Sequence, residues 1–115
     1  MTINQFEDIQ SWQLARELYV ESKNVFKNVK DNVFNYQYFR AVLSIMNNIA
    51  EGFERRADNQ FHYFLIIAKG SAGEVRSMLH LAKELNYCSA VKYEELISKC
   101  ISISKLISKL ASSLK

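Results

Sequence analysis

Proline is absent from this chain of 115 residues, and glycine occurs only three times, at Gly52, Gly70 and Gly73. These two residue types usually mark turns and strand ends, so their scarcity argues against a sheet-rich fold with many tight turns. Long helices joined by short connections are the structure that such a composition favours. We therefore predict an all-α fold.

The chain also lacks a long apolar run and contains only two cysteines, Cys88 and Cys100. No run approaches the ~18 apolar residues of a membrane span, and the N-terminus has neither the basic start nor the apolar block of a signal peptide. Two cysteines outside a CxxC pattern, with no histidine at ligand spacing, are typical of small core residues in a reducing compartment. We expect a cytoplasmic protein with no membrane contact, metal or cofactor.

Neither sign of charge dominates, since 15 basic residues stand against 12 acidic ones and give a net charge of +3. The excess lies late in the chain, where four lysines and no acidic residue follow Glu95. This balance favours nucleic acid as a partner only slightly. The apolar fraction of 49% is ordinary for a globular protein, and we expect a single domain over residues 1–115.

Apolar residues recur at steps of three and four through most of the chain, which predicts four helices. The expected ranges are about 4–30, 31 or 32 to 56, 59–86 and 90 to the end. The third helix is expected to follow Asp58 as its N-cap, and the fourth to follow Ser89. Short connections force successive helices to pack antiparallel, so we predict an up-down-up-down four-helix bundle.

The second of these helices is apolar over most of its surface yet carries a polar stripe. The stripe consists of Arg40, Ser44, Asn47, Asn48 and Glu51, which recur at steps of three and four and so share a face. Polar groups among so many apolar neighbours need partners, because an unpaired buried polar group costs roughly 1–3 kcal/mol. We predict a buried polar network against another helix or another copy of the protein.

A simple hairpin turn near Ala57 would bring together residues of the second and third helices whose numbers sum to about 114. This register pairs Arg40 with Glu74, and we predict a partly buried ion pair there; the alternative is two unrelated surface charges. It also places Ser44 opposite Gly70. A glycine inside a helix costs roughly 1 kcal/mol relative to alanine, so the three glycines predict close packing of the two helices.

The apolar residues of the second helix spread well beyond a single ~100° stripe. They are Tyr36, Tyr38, Phe39, Val42, Leu43, Ile45, Met46, Ile49 and Phe53. A helix that is apolar nearly all round is buried on more than one side, so we predict self-association. The alternative is a helix at the centre of one compact monomer.

Two segments of the chain resemble the 23S rRNA intervening-sequence proteins. Residues 40–56 read Arg-Ala-Val-Leu-Ser-Ile-Met-Asn-Asn-Ile-Ala-Glu-Gly-Phe-Glu-Arg-Arg, and residues 61–74 read Phe-His-Tyr-Phe-Leu-Ile-Ile-Ala-Lys-Gly-Ser-Ala-Gly-Glu. The resemblance implies a left-handed four-helix bundle assembled as a homopentamer. It also implies a relationship to the accessory protein of diversity-generating retroelements, which binds nucleic acid beside a reverse transcriptase, so a reverse transcriptase is one implied partner protein.

Two positions depart from the pattern of that family. Met46 stands where members usually carry proline, and its presence should leave the second helix straighter. Phe39 stands where members usually carry a second basic residue. The lost positive charge weakens the inference that this chain binds nucleic acid.

The first function that we consider is a binding module that contacts an RNA or DNA backbone weakly and without sequence preference. The candidate contacts are Arg55, Arg56, Lys99, Lys105 and Lys109. The alternative for each of them, taken singly, is an ordinary solvated side chain. The chain has no base-reading motif of interleaved aromatic residues, so sequence-specific recognition is not expected.

The second function is a structural ring that scaffolds a partner protein and never touches nucleic acid. A third possibility is an enzyme in which Glu51 and His62 form an acid–base pair. No nucleophile, phosphate-binding loop or metal-ligand set accompanies these two residues in the sequence. We therefore expect a protein without enzymatic activity.

Overall fold

The computed structural model describes residues 3–114, which form one short 3-10 turn and four α-helices. The elements are the turn Phe6–Asp8 and helices α1 (Gln10–Val25), α2 (Asn32–Glu54), α3 (Asp58–Glu84) and α4 (Ala90–Ser112). Each helix packs against its neighbours in sequence, and α4 closes the bundle against α1. The predicted all-α, antiparallel up-down-up-down bundle is confirmed, and it measures 43 × 23 × 19 Å.

Helix α1 is shorter than the predicted range 4–30. At its start, Ile9 is extended and buried, and it separates the 3-10 turn from the helix. At its end, Phe26 leaves the helix and its ring packs edge-on against Phe34 and Tyr38. Burying these aromatic rings together outweighs one or two further turns of helix, because aromatic side chains contribute most to core stability.

The turn between α2 and α3 also differs from the prediction. Helix α2 ends at Glu54 because Arg56 has a φ of 61°, in the left-handed region that terminates helices. Asp58 is the first residue of α3 rather than its N-cap, a position that Ala57 occupies. An acidic residue in the first turn still interacts favourably with the helix dipole.

Hydrogen bonds at the opposite end of the bundle join two connections. The Asp31 carboxylate caps α2 by accepting from the Phe34 backbone N–H, at 3.0 Å. It also accepts from the Tyr87 hydroxyl, at 2.6 Å, which links the α1–α2 connection to the α3–α4 connection. The Tyr87 hydrogen bond is the main reason why the pKa of Asp31 lies below its usual value, and the N–H of Phe34 adds to the effect.

All four helices contribute to one apolar core, in which the Tyr38 hydroxyl is hydrogen-bonded to Ser22 at 2.8 Å.

Helix α2 runs unbroken through Met46. The buried ring of Phe39 has the Lys23 ammonium 4.1 Å from its centroid.

Between residues 3 and 114, none of the helices combines the length and the apolar character that crossing a membrane requires.

Candidate functional site

Polar side chains join α2 and α3 near the middle of both helices. The hydroxyls of Ser44 and Ser71 are 2.8 Å apart, and Asn48 Nδ2 donates to both the carbonyl and the hydroxyl oxygen of Ser44, at 2.8 and 3.0 Å. Ser44 thus lies opposite Ser71, one residue beyond the predicted partner Gly70. Ser44 and Asn48 are the part of the predicted polar network that forms within one chain.

The other four members of that network, Arg40, Asn47, Glu51 and Glu74, are exposed in the single chain. Among residues 3–114 no ion pair joins Arg40 to Glu74, so the prediction of a partly buried pair within the chain is wrong. The reason is the direction of the α2 core face: Ala41 is buried, and the preceding residue is turned 100° away from it. Burial of these residues against a second copy stays a prediction.

The outward side of α2 carries a regular series of residues that we call the α2 stripe. Its members are Val33, Tyr36, Arg40, Leu43, Asn47 and Ala50. They alternate at steps of three and four, which is the spacing of core positions in a coiled coil. The apolar members Val33, Tyr36 and Leu43 are 75%, 66% and 37% exposed. Helix α2 therefore has two apolar faces, one in the core and one on the surface.

The three glycines do not share one role. A Cβ at Gly52 would lie 2.7 Å from the Phe64 Cβ and 3.0 Å from the Phe61 Cδ1, so close packing of α2 on α3 is confirmed there. A Cβ at Gly70 or at Gly73 would meet nothing within 4 Å. The prediction of close packing at these two glycines within the chain is wrong.

Two of the five candidate nucleic-acid contacts already have acidic partners. The Lys99 ammonium lies between the carboxylates of Glu17 and Glu21, at 3.4 and 3.5 Å. Arg55 is 2.8 Å from the Glu51 carboxylate. These two cations offer less unpaired charge to an anionic ligand than the sequence alone suggests.

The other three candidates, Arg56, Lys105 and Lys109, are exposed and make no ion pair with any residue between 3 and 114. The Arg56 guanidinium lies 4.9 Å from the ring centroid of Phe53. Lys105 and Lys109 are one helical turn apart on the outward side of α4. Arg56 lines a depression together with Ser113 and Leu114, which directly follow α4.

A depression between α3 and α4 was not anticipated from the sequence, and we call it the α3–α4 depression. It has a volume of about 340 Å³ and is lined by Lys69, Ala72, Gly73, Arg76, Cys100, Ile101 and Ser104. Its floor is fixed by the buried Cys100, whose thiol donates to the Ala72 carbonyl at 3.2 Å. Burial raises the pKa of Cys100 to about 11, and the nearby positive charge of Arg76 opposes that rise.

Sequence spacing could have shown part of this depression, because Lys69 and Arg76 are seven residues apart and so share a face of α3. It could not show which residues of α4 lie beside them, since that depends on the register of the two helices.

Glu51 and His62 do not form an acid–base pair in the structure. The Glu51 carboxylate binds Arg55, and His62 is an exposed residue of α3. In the described part of the chain, no group of three or more His, Cys, Asp or Glu side chains could hold a metal ion.

The fold is similar to that of a solved protein of unknown function, a member of the S23 ribosomal protein family from Bacteroides thetaiotaomicron. The two superpose with a TM-score of 0.83 at 25% sequence identity, over 90% of this chain and 99% of the other. A comparison with functionally curated proteins finds no match. The family profile of the 23S rRNA-intervening sequence protein matches residues 7–109, nearly the whole bundle. The chain therefore belongs to the 23S rRNA-intervening sequence protein family.

Proposed function

We propose that this protein is a non-enzymatic, cytoplasmic homo-oligomer that binds the backbone of RNA or DNA weakly and without sequence preference. The number of copies is five, as the family resemblance implies. The observation that carries the proposal is the α2 stripe, because an outward face with core-like spacing needs a partner. The support for nucleic-acid binding is the distribution of unpaired cations.

The support for self-association is the combination of spacing and exposure in the α2 stripe. A four-helix bundle needs one apolar face per helix, and α2 already buries Ala41, Ile45 and Ile49 in the core. The large exposed side chains of Val33 and Tyr36 are not needed for that core. Packing them against another copy would remove apolar surface from water, at roughly 25 cal/mol for each Å² buried.

The polar members of the stripe fit the same interpretation. Arg40 and Asn47 occupy positions that would be apolar in an ordinary coiled coil. Polar residues at such positions specify register and the number of copies, at some cost in stability. Their presence favours an assembly of defined size over open-ended aggregation.

Support for nucleic-acid binding comes from charge. Each chain carries a net charge of +3, and an assembly multiplies it by the number of copies. Arg56, Lys105 and Lys109 are exposed and lack acidic partners among the described residues. Contacts between such cations and phosphates release counterions, so affinity should fall steeply as salt rises. The family takes its name from an insertion in ribosomal RNA, which makes RNA the first ligand to test.

The assembly is tested with the substitution Leu43→Glu at the centre of the α2 stripe. We expect multi-angle light scattering to give the mass of an oligomer for the unchanged protein and a mass close to 13.4 kDa for the variant. A buried, unpaired carboxylate is strongly unfavourable in an interface, whereas it is well solvated on a monomer. Circular dichroism should show that the variant keeps its helices.

Val91→Glu is the matched control, because Val91 is 66% exposed in the first turn of α4, away from the stripe. It should leave the mass unchanged. A monomeric mass for the unchanged protein, or equal effects of the two substitutions, would contradict the proposed assembly.

Nucleic-acid binding is tested by filter retention of single-stranded RNA over a salt titration. We expect retention at low salt that falls with a slope proportional to the number of phosphates contacted. No retention at low salt would favour the alternative, a ring that scaffolds a partner protein such as a reverse transcriptase. The ion pairs of Lys99 and Arg55, which neutralise two of five candidate contacts, support that alternative.

A further inference from the structure

The charged side chains that line the α3–α4 depression are all positive. The same holds for the depression beside the α2 stripe that contains Lys23 and Arg40, but the proposed assembly would cover that surface. In the α3–α4 depression the two ionised side chains are Lys69 and Arg76, and no carboxylate is among the lining residues. Neither cation makes an ion pair with a residue between 3 and 114. By comparison, the depression between α1 and α4 contains Glu17 and Glu21, which neutralise Lys99.

Hydrogen-bonding groups in the depression also suit an anion. Ser104 is half-buried on the α4 side, and its hydroxyl makes no hydrogen bond within the described structure. A hydroxyl can donate to a phosphate oxygen, and positively charged side chains do so with stronger, charge-assisted bonds. Arg76 lines this space from the α3 side.

The length of the depression favours a strand over a single ion. Lys69 and Arg76 are seven residues apart, about 10 Å along the helix axis. The intervening Gly73 leaves the α3 backbone open between them, since a Cβ there would meet nothing within 4 Å. No aromatic ring lines the depression, so it offers no platform on which bases could stack.

We propose that the α3–α4 depression binds the phosphodiester backbone of a nucleic-acid strand, with Lys69 and Arg76 neutralising phosphates and Ser104 donating a hydrogen bond. This inference rests on the proposed nucleic-acid binding and assigns it to a specific surface. The candidate contacts from the sequence, Lys105 and Lys109, then lie outside the main contact.

The sharpest test compares two glycines of α3. Gly73→Glu places a carboxylate between Lys69 and Arg76, while Gly70→Glu makes the same change in charge outside the depression. Both sites have space for a side chain, and glutamate favours a helix more than glycine does, so both variants should fold. Circular dichroism and light scattering on each variant verify helix content and mass.

We expect Gly73→Glu to weaken retention of single-stranded RNA about tenfold or more, and Gly70→Glu to weaken it less than about threefold. In a second pair, Lys69→Gln/Arg76→Gln should reduce the slope of log affinity against log salt by about 1.4, as two lost phosphate contacts on a single strand predict. Lys105→Gln/Lys109→Gln removes the same charge and should change the slope less.

Equal effects within both pairs of variants would overturn the assignment to this depression while leaving nucleic-acid binding intact. Absence of RNA retention by the unchanged protein would overturn both proposals. Inorganic phosphate tests whether the depression instead binds a free anion. If the ligand is a strand, phosphate should displace RNA no better than chloride does at equal ionic strength. Stronger displacement by phosphate would identify a site for a free anion and overturn the assignment to a strand.

Discussion

The two grooves beside α3 are built differently although the same helix forms one wall of each. On the α2 side, the Ser44 and Ser71 hydroxyls bind each other, and Gly52 lets the helices approach closely. On the α4 side, Lys69 and Arg76 flank an open depression with a helical glycine between them. The first groove uses its polar and small residues for packing. The second leaves them available to a ligand.

This contrast shows that residue type alone does not reveal what a glycine or a hydroxyl contributes. Gly52 and Gly73 both lie inside helices and both cost stability relative to alanine. Of these two glycines, only Gly52 permits close helix packing within the chain, which offsets the lost stability. For Gly73, a ligand that approaches the α3 backbone would supply the compensation.

The strongest test of the contrast is Gly52→Leu. The new side chain would overlap Phe64, so we expect the free energy of unfolding to fall by about 2–3 kcal/mol, as in other overpacked cores. Urea denaturation followed by circular dichroism measures the change. Gly70→Leu is the control and should not lower the free energy of unfolding, since nothing lies within 4 Å of its Cβ position and leucine favours a helix more than glycine does. Similar losses at both sites would contradict the close approach at Gly52.

A smaller effect is expected when one hydroxyl is removed from the closed groove. Ser44→Ala leaves the nearly buried Ser71 hydroxyl without its partner and deprives Asn48 of an acceptor, which should cost about 1–2 kcal/mol. The same denaturation experiment on Ser44→Ala/Ser71→Ala should give less than the sum of the single losses, because the two residues share one interaction. Additive losses would mean that the hydroxyls do not interact.

The smallest effect is a gain in stability in the open groove. Gly73→Ala should raise the free energy of unfolding by about 0.5–1 kcal/mol, because alanine favours the helix and its Cβ meets no neighbour. The midpoint of urea denaturation reports this gain. A loss of stability at this position would show that the depression is filled in solution, contrary to its description as open.

Composition and periodicity were sufficient to predict the fold. The lack of proline and the long apolar repeats indicated four helices, and the start of α4 after Ser89 agrees with its hydroxyl accepting from the Lys92 N–H. The ends of α1 were not predictable from its own sequence. They depend on Phe26 packing against Phe34 and Tyr38, a tertiary contact that overrides local helix preference.

The site was predicted only in part, for a related reason. Periodicity showed that Arg40, Ser44 and Asn47 share one side of α2, but it could not show that Arg40 and Asn47 are exposed while Ser44 contacts α3. Both faces of α2 are apolar enough to be a core face, so the sequence does not distinguish them. Predicting the α3–α4 depression requires the register of the two helices, because that register places Ser104 of α4 near two cations of α3.

The hydrogen bond between Tyr87 and Asp31 couples the stability of the bundle to the proton concentration. Because the folded state holds the Asp31 pKa below its usual value, the ionised carboxylate stabilises the fold at neutral pH. This contribution is complete above the pKa of the unfolded chain and disappears as the pH falls through the lower pKa of the folded one. Protonation of Asp31 in strong acid would thus weaken the link between the two connections at that end of the bundle, which joins residues 56 positions apart in the chain.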